Sequence, residues 1–136
     1  RSLLPSLTTQ AAENQKNNAV LPTISLPALT TQASDNQRSN ALLTSISLPA
    51  LTAQVSGNQR YNAALTTFAA NALTSQIDSN QADNPLSTTI TTPALTSIGT
   101  GNYVGCTYNI MTINVDASLF GAADILLAQA GGATII

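Results

Sequence analysis

The chain has 136 residues, of which only 7% are charged, and its formal net charge is −2. Charged residues make up about a quarter of an ordinary globular domain, but 43% of this chain is hydrophobic, which excludes the charged, apolar-poor class of disordered proteins. Four basic residues are too few for a nucleic-acid interface, and the absence of histidine excludes catalysis by a histidine base. So few charges give little repulsion between copies, and we therefore expect self-association.

A 22-residue repeat runs through the first two thirds of the sequence. Leu-Pro-x-Leu-Thr begins at Leu4, Leu26 and Leu48, and Asn-Gln recurs four times at the same interval. A fixed period of this length predicts a stacked array of similar units. We assign residues 3–98 to the repeats and residues 99–136 to a non-repeat C-terminal segment.

The repeat favours strands over helices. Thr, Ser and Asn are mediocre helix formers, the recurrent proline would break a helix, and apolar and polar residues alternate from Leu7 to Ala11. One repeat then predicts a strand at 28–33, an arc at 34–39, a second strand at 40–47 and a turn at Leu48-Pro49. The predicted fold class is all-β: a β-solenoid, or cross-β arch stack, of about five 22-residue rungs with a β-rich C-terminal segment.

The predicted second strand has apolar residues on both faces. Leu43 and Ile46 lie three residues apart, and side chains alternate between the two faces of a strand. We therefore expect one of the two apolar columns to face outward and to support lateral packing of copies.

Identical residues at a 22-residue spacing form columns when the rungs are stacked. Amides one rung apart can hydrogen bond along the stack, whereas a buried amide without a partner costs about 1–3 kcal/mol. Four columns are the candidate structural ladders. They comprise Gln10, Gln32, Gln54 and Gln76; Asn14, Asn36, Asn58 and Asn80; Asn18, Asn40, Asn62 and Asn84; and Leu7, Leu29, Leu51, Leu73 and Leu95.

The reactive side chains show no catalytic pattern. Lys16, Arg38 and Arg60 form one charged column, which Glu13 and Asp35 can offset from the same arcs. The single cysteine, Cys106, has two interpretations: a small buried hydrophobic residue or an intermolecular disulfide. No catalytic, cofactor or metal residue is assigned, and we expect a protein that is not an enzyme.

The C-terminal segment is apolar and β-prone in its first part. Tyr103–Val115 predicts a strand, and Ala117–Gln129 predicts a short helix or a further strand. Two roles are open, a cap on the stack or a junction to the next subunit, and we favour the junction because the last six residues lack protective charges. Asp124 and Gln129 make the segment a poor membrane span. The start at Arg1 without methionine suggests a processed or truncated N-terminus from which any signal peptide has been removed.

One repeat resembles a known family at the level of motif. It reads Gln54-x-x-Gly57-Asn58-Gln59-x-x-Asn62-Ala63, and Asn-Gln-x-x-Asn-Ala recurs at 14–19, 36–41 and 58–63. This pattern resembles the curlin and Fap-type subunits of bacterial functional amyloid, although glycines are fewer, proline recurs and the spacing differs. The resemblance implies a secreted subunit that polymerises with copies of itself into extracellular fibres of a biofilm matrix or cell surface, with a nucleator subunit as a further partner.

Two other kinds of repeat protein share features with the chain. Leu21-x-x-Ile24-x-Leu26 fits the core spacing of a leucine-rich repeat, but Leu29 stands where that repeat has its asparagine. The alternative function is a soluble β-solenoid binding module, of the adhesin or ice-binding type, because threonine columns are typical of ice-binding solenoids. Such a site needs Thr-x-Thr, whereas the adjacent pair Thr30-Thr31 predicts hydroxyls on opposite faces.

Overall fold

The strands alternate along the chain between two all-parallel sheets. The computed structural model describes the backbone of residues 2–136 and the side chains of residues 4–136, so Arg1 lies outside the described residues. The seven-stranded sheet contains, in spatial order, β1 (Ser2–Leu3), β3 (Thr23–Ser25), β5 (Ser45–Ser47), β7 (Thr67–Ala69), β9 (Thr89–Thr92), β11 (Thr112–Val115) and β12 (Thr134–Ile135). The five-stranded sheet contains β2 (Thr9–Gln10), β4 (Thr31–Gln32), β6 (Ala53–Gln54), β8 (Ser75–Gln76) and β10 (Ser97–Ile98). This arrangement confirms the predicted β-solenoid.

The pairing register follows the repeat. Ile24 lies beside Ile46, and Ile46 beside Phe68, each 22 residues further along the chain. The seven-stranded sheet continues beyond the repeats through β11 and β12. Ile90 pairs with Ile113, an interval of 23, so one extra residue is accommodated between β9 and β11.

Two helices of the 3₁₀ type and one α-helix complete the fold. Tyr108–Ile110 (η1) precedes β11, Ala117–Leu119 (η2) follows it, and Ala123–Ala130 (α1) leads to β12. No helix in the described part of the chain is long and apolar enough to cross a membrane.

The strands are shorter than the sequence predicts. The strand expected at 28–33 is only Thr31–Gln32, and the one expected at 40–47 is only Ser45–Ser47. The other residues form turns and arcs that bond to the neighbouring rung, as in Leu48 N–H to Ala69 O at 2.8 Å. Each rung therefore bonds to its neighbours through its corners as well as through its strands.

Left-handed backbone shapes the arcs. Asp35, Gln37 and Ser39 have φ values of 59°, 50° and 56°, a conformation that costs an L-residue about 1–2 kcal/mol. Gly57 occupies the position of Asp35 one rung later, with φ of 73°, and a Cβ there would lie 2.6 Å from Asp35 Oδ1. Three left-handed residues at alternate positions fold the chain back toward the other sheet.

One hydrophobic core lies inside the coil. Leu29, Leu51, Leu73 and Leu95 are fully buried, whereas Leu7, at the N-terminal end, is half-buried. The expectation of an apolar outer face is wrong, because Leu43 and Ile46 are both buried in the same core. Strand β5 begins only at Ser45, and residues 43–44 lie outside it, so strand alternation does not extend from Leu43 to Ile46.

Candidate functional surfaces

The first glutamine column is a side-chain ladder in the interior. Gln32 Nε2 donates to Gln54 Oε1 at 2.7 Å, and Gln54 Nε2 donates to Gln76 Oε1 at 2.9 Å. All three side chains are buried. Gln10 differs because it bonds to Gln15 and Gln37 instead.

A second glutamine column was not among the candidate ladders. Gln37 Nε2 donates to Gln15 Oε1 at 3.0 Å, Gln59 to Gln37 at 2.9 Å, and Gln81 to Gln59 at 3.0 Å. Its amides point in the opposite direction along the stack to those of the first column. The recurrence of Asn-Gln at one spacing was the available signal, because it places a glutamine beside every asparagine of the arc.

The first asparagine column joins side chain to backbone. Asn14 N–H donates to Asn36 Oδ1 at 2.9 Å, and the same bond recurs at each later step as far as Asn102. Direct bonds between amide groups, which the sequence suggested, occur from Asn58 to Asn80 and from Asn80 to Asn102. Each asparagine thus satisfies a backbone N–H of the preceding rung.

The second asparagine column makes two bonds to the preceding rung. Asn62 Oδ1 accepts from Asn40 N–H at 2.9 Å, while Asn62 Nδ2 donates to Gln37 O at 2.8 Å. Asn40 and Asn84 repeat the pattern. These bonds hold the left-handed arc in place and offset part of its conformational cost.

Cys106 ends the second asparagine column. Its Sγ donates to Gln81 O at 3.2 Å, so the thiol takes the donor role of the amide. Burial raises the pKa of the Cys106 thiol to about 11, and the Asn84 N–H opposes that shift only in part. The cysteine is free and half-buried, and it is hydrogen bonded rather than simply packed.

The charged side chains of the arcs are paired. Lys16 bonds to Glu13 at 2.8 Å and Arg38 to Asp35 at 2.6 Å. Arg60 pairs with Asp83 of the next rung at 2.9 Å, because Gly57 has replaced the acid of its own arc. Among the described side chains, no group of three or more Cys, Asp or Glu could hold a metal ion.

The C-terminal end closes the first asparagine column with a carboxylate. Asp124, in the first turn of α1, accepts from Asn102 N–H at 2.6 Å and from Gly101 N–H at 3.0 Å. It lies 22 residues after Asn102 and so occupies the next position of the column. Ile125 and Ala128 of the same helix pack into the core. The helix thus covers the arc and its amides at this end.

The N-terminal end has no such cover among the described residues. An open cavity of about 370 Å³ is lined there by apolar and amide side chains, including Leu4, Leu7, Gln10 and Asn14. Asn14 Oδ1 occupies the acceptor position that a preceding rung would use. The two ends of the coil therefore differ in their exposed hydrogen-bonding groups.

Two kinds of hydroxyl column lie on the surface. At the corners, Thr52 Oγ1 donates to Thr30 O and Thr66 Oγ1 to Thr44 O, both at 3.0 Å, so these hydroxyls are satisfied within the coil. The seven-stranded sheet presents two further columns at alternate strand positions. They are Thr23, Ser45, Thr67, Thr89 and Thr112, and Ser25, Ser47, Ala69, Thr91 and Asn114.

This outer face contains the Thr-x-Thr spacing that the adjacent pair Thr30-Thr31 lacks. Thr89 and Thr91 are half-buried on one side of β9, with Ile90 buried between them. The sequence predicts that the adjacent residues Thr30 and Thr31 point to opposite faces of a strand. Instead, both side chains are exposed at a corner of the coil. Counting columns around the Ile positions would have located the face.

Comparisons with known proteins identify no relative of this chain, so its function is inferred from its fold and surfaces. A scan against protein-family models, a search of curated proteins and a search of solved structures each found no match. The parallel rungs and buried Gln and Asn ladders agree with the coarse architecture that the curlin resemblance implies.

Replacing Asp124 tests how the column is closed. Asp124→Ala leaves the buried Asn102 N–H without an acceptor, and we expect a loss of about 1–3 kcal/mol in the free energy of unfolding, measured by urea denaturation. Asp124→Asn keeps an acceptor oxygen and should lose clearly less. Equal losses in the two variants would contradict the proposed closure.

The raised pKa of Cys106 predicts a loss of stability at high pH. Its thiol ionises near pH 9.0 when unfolded and near pH 11 when folded, so the folded state holds the proton more tightly. Its contribution is complete below pH 9 and is lost between pH 9 and 11, by about 1–2 kcal/mol. Cys106→Ser keeps a hydroxyl donor and does not titrate in this range. Unfolding free energies of both proteins between pH 8 and 11 should diverge, and parallel curves would contradict the prediction.

Proposed function

We propose that the protein is a structural subunit that assembles with its own copies into extracellular, amyloid-like fibres, in a biofilm matrix or as a surface filament. The observation that supports this most directly is the in-register stacking of identical columns. Within the repeats, each rung presents to the next the same strand register and hydrogen-bonding pattern. Cross-β fibres use the same stacking and the same Asn and Gln ladders.

The surface chemistry supports assembly. The net charge of −2 gives little repulsion between copies, and the three ion pairs neutralise most of the charge on the arcs. The turn tips carry exposed apolar residues, with Val20 78% and Leu42 56% exposed, which a partner copy can cover. We propose a structural rather than a catalytic role because the titratable groups described above are engaged in holding the coil together.

Filament formation by the purified chain tests this proposal. After incubation at neutral pH, we expect sedimenting filaments under the electron microscope and a meridional reflection at about 4.7–4.8 Å in aligned samples. Gln129, exposed on α1, offers a control substitution to lysine for the effect of added charge alone, whereas Gln54→Lys charges the buried ladder. Gln54→Lys should prevent filaments and Gln129→Lys should permit them. Protein that stays monomeric throughout contradicts the fibre proposal.

A second candidate function rests on the outer hydroxyl face. Its two columns contain no charged residue, and the hydroxyls of Thr23, Ser45 and Thr89 make no hydrogen bond within the described part of the chain. Alternate residues along a strand and successive strands create a mesh of about 6.7 by 4.8 Å. Such a neutral, regular array of donors and methyl groups suits binding to the surface of ice.

Ice recrystallisation assays test the second candidate. Thr67 lies in the middle of the face, and Thr67→Tyr should abolish inhibition of recrystallisation because the ring breaks the flat mesh. Thr31 is exposed on the other sheet, so Thr31→Tyr is the matched control and should retain the activity. Absence of activity in the unmodified protein, or equal activity in the two variants, would count against this function.

A further inference from the structure

We propose that copies join head to tail through one sheet only, with β12 of one copy pairing in parallel with β1 of the next. This inference rests on the proposed fibre function and specifies its junction. Within the described residues, β1 and β12 are the two edge strands of the seven-stranded sheet and lie at its opposite ends.

The outer edge of β12 has unpaired backbone groups. Thr134 N–H donates to Met111 O at 2.9 Å, and Ile136 N–H donates to Ile113 O at 3.0 Å. Successive residues of a parallel strand bond to opposite neighbours, so the N–H and C=O of Ile135, between them, point away from β11. An unpaired strand edge of this kind accepts a further strand.

The register of the junction follows from the columns. Ile135 lies beside Ile113, which continues the column of Ile24, and Ser2 of β1 pairs with Ile24. A strand added to β12 in the same register therefore places Ser2 of the next copy beside Ile135 and Leu3 beside Ile136. Because all strands run in the same direction, this contact is heterologous and leaves a free edge at each end, which generates a filament rather than a closed dimer.

The other sheet cannot continue in the same way. After β11, where the next strand of the five-stranded sheet would follow, the chain forms η2 and α1, and Asp124 of α1 occupies the next position of the asparagine column. An α-helix is about 10 Å wide, roughly twice the spacing of two strands, so α1 interrupts the five-stranded sheet and its arc. The amide ladders therefore end within each copy, and only the seven-stranded sheet is continuous.

Residues 131–136 also lack the features that protect sheet edges. They read Gly-Gly-Ala-Thr-Ile-Ile and contain no charged side chain. Protected edges use lysine, proline or inward-pointing charges to prevent strand addition. A proline at the outward-facing position would supply that protection.

Two substitutions at Ile135 distinguish the contribution of its backbone N–H to elongation from the contribution of its side chain. Ile135→Pro removes the outward N–H but leaves the bonds of Thr134 and Ile136 to β11, and we expect elongation at least about tenfold slower, followed by light scattering. Ile135→Ala keeps the N–H and loses only packing, so it should elongate at nearly the rate of the unmodified protein. Monomer stability is measured for both by urea denaturation and should be similar.

The outcomes distinguish the junction from the fibre itself. If the unmodified protein forms no filaments, the proposed function fails. If Ile135→Pro elongates as fast as the unmodified protein, this junction is wrong while the fibre stands. Electron microscopy gives a reading that needs no variant: seven strands spaced at about 4.8 Å predict an axial rise of about 34 Å per subunit. A rise that does not fit seven strands overturns the inference.

Discussion

The structure depends on one constraint: the backbone N–H and C=O groups of each arc find their partners one rung away. Backbone N–H groups of the left-handed arcs bond to asparagine side chains, and arc carbonyls bond to the amide nitrogens of others. These bonds hold only if the chain returns to the same column after 22 residues, so an insertion in the arc would break several at once. The interval between β9 and β11 is 23 residues instead of 22. The extra residue lies between Cys106 and Thr112, after the end of the second asparagine column.

The sequence predicts the columns well because stacking preserves residue type at a fixed interval. The sheets, their parallel register and the buried Leu column follow from counting in steps of 22. The arcs and corners do not follow, because alternation of apolar residues describes a straight strand and contains no information about where the chain turns. Leu43 and Ile46 show the consequence: Leu43 precedes the first residue of β5, so both side chains enter one core, although their spacing would place them on opposite faces of a continuous strand.

The sequence also could not predict which atoms bond to each other within a column. An amide can bond to its neighbour's amide or to its neighbour's backbone, and both geometries conserve asparagine at every rung. Bonds to the backbone predominate in the arcs because Asn36 has an N–H, and Gln37 a C=O, that no strand satisfies. The carboxylate of Asp124 fits the same logic. Its place in the column was visible from the interval of 22, but the helical sequence around it obscured the relation.

The two ends of the coil differ, and this difference limits how copies could associate. The outer hydroxyl face is the surface that an assembly would expose. Asp124 of α1 accepts from the backbone N–H groups of Gly101 and Asn102, and α1 interrupts the five-stranded sheet, while β12 keeps the edge of the seven-stranded sheet open. An end-to-end assembly would align the outer hydroxyl columns of successive copies into one continuous face. Weak contacts of a single copy with a regular surface would then act together, since linked sites bind with an effective concentration that a monomer lacks. The two proposed functions are therefore compatible with one fold, because assembly into a fibre would strengthen the proposed binding to a surface.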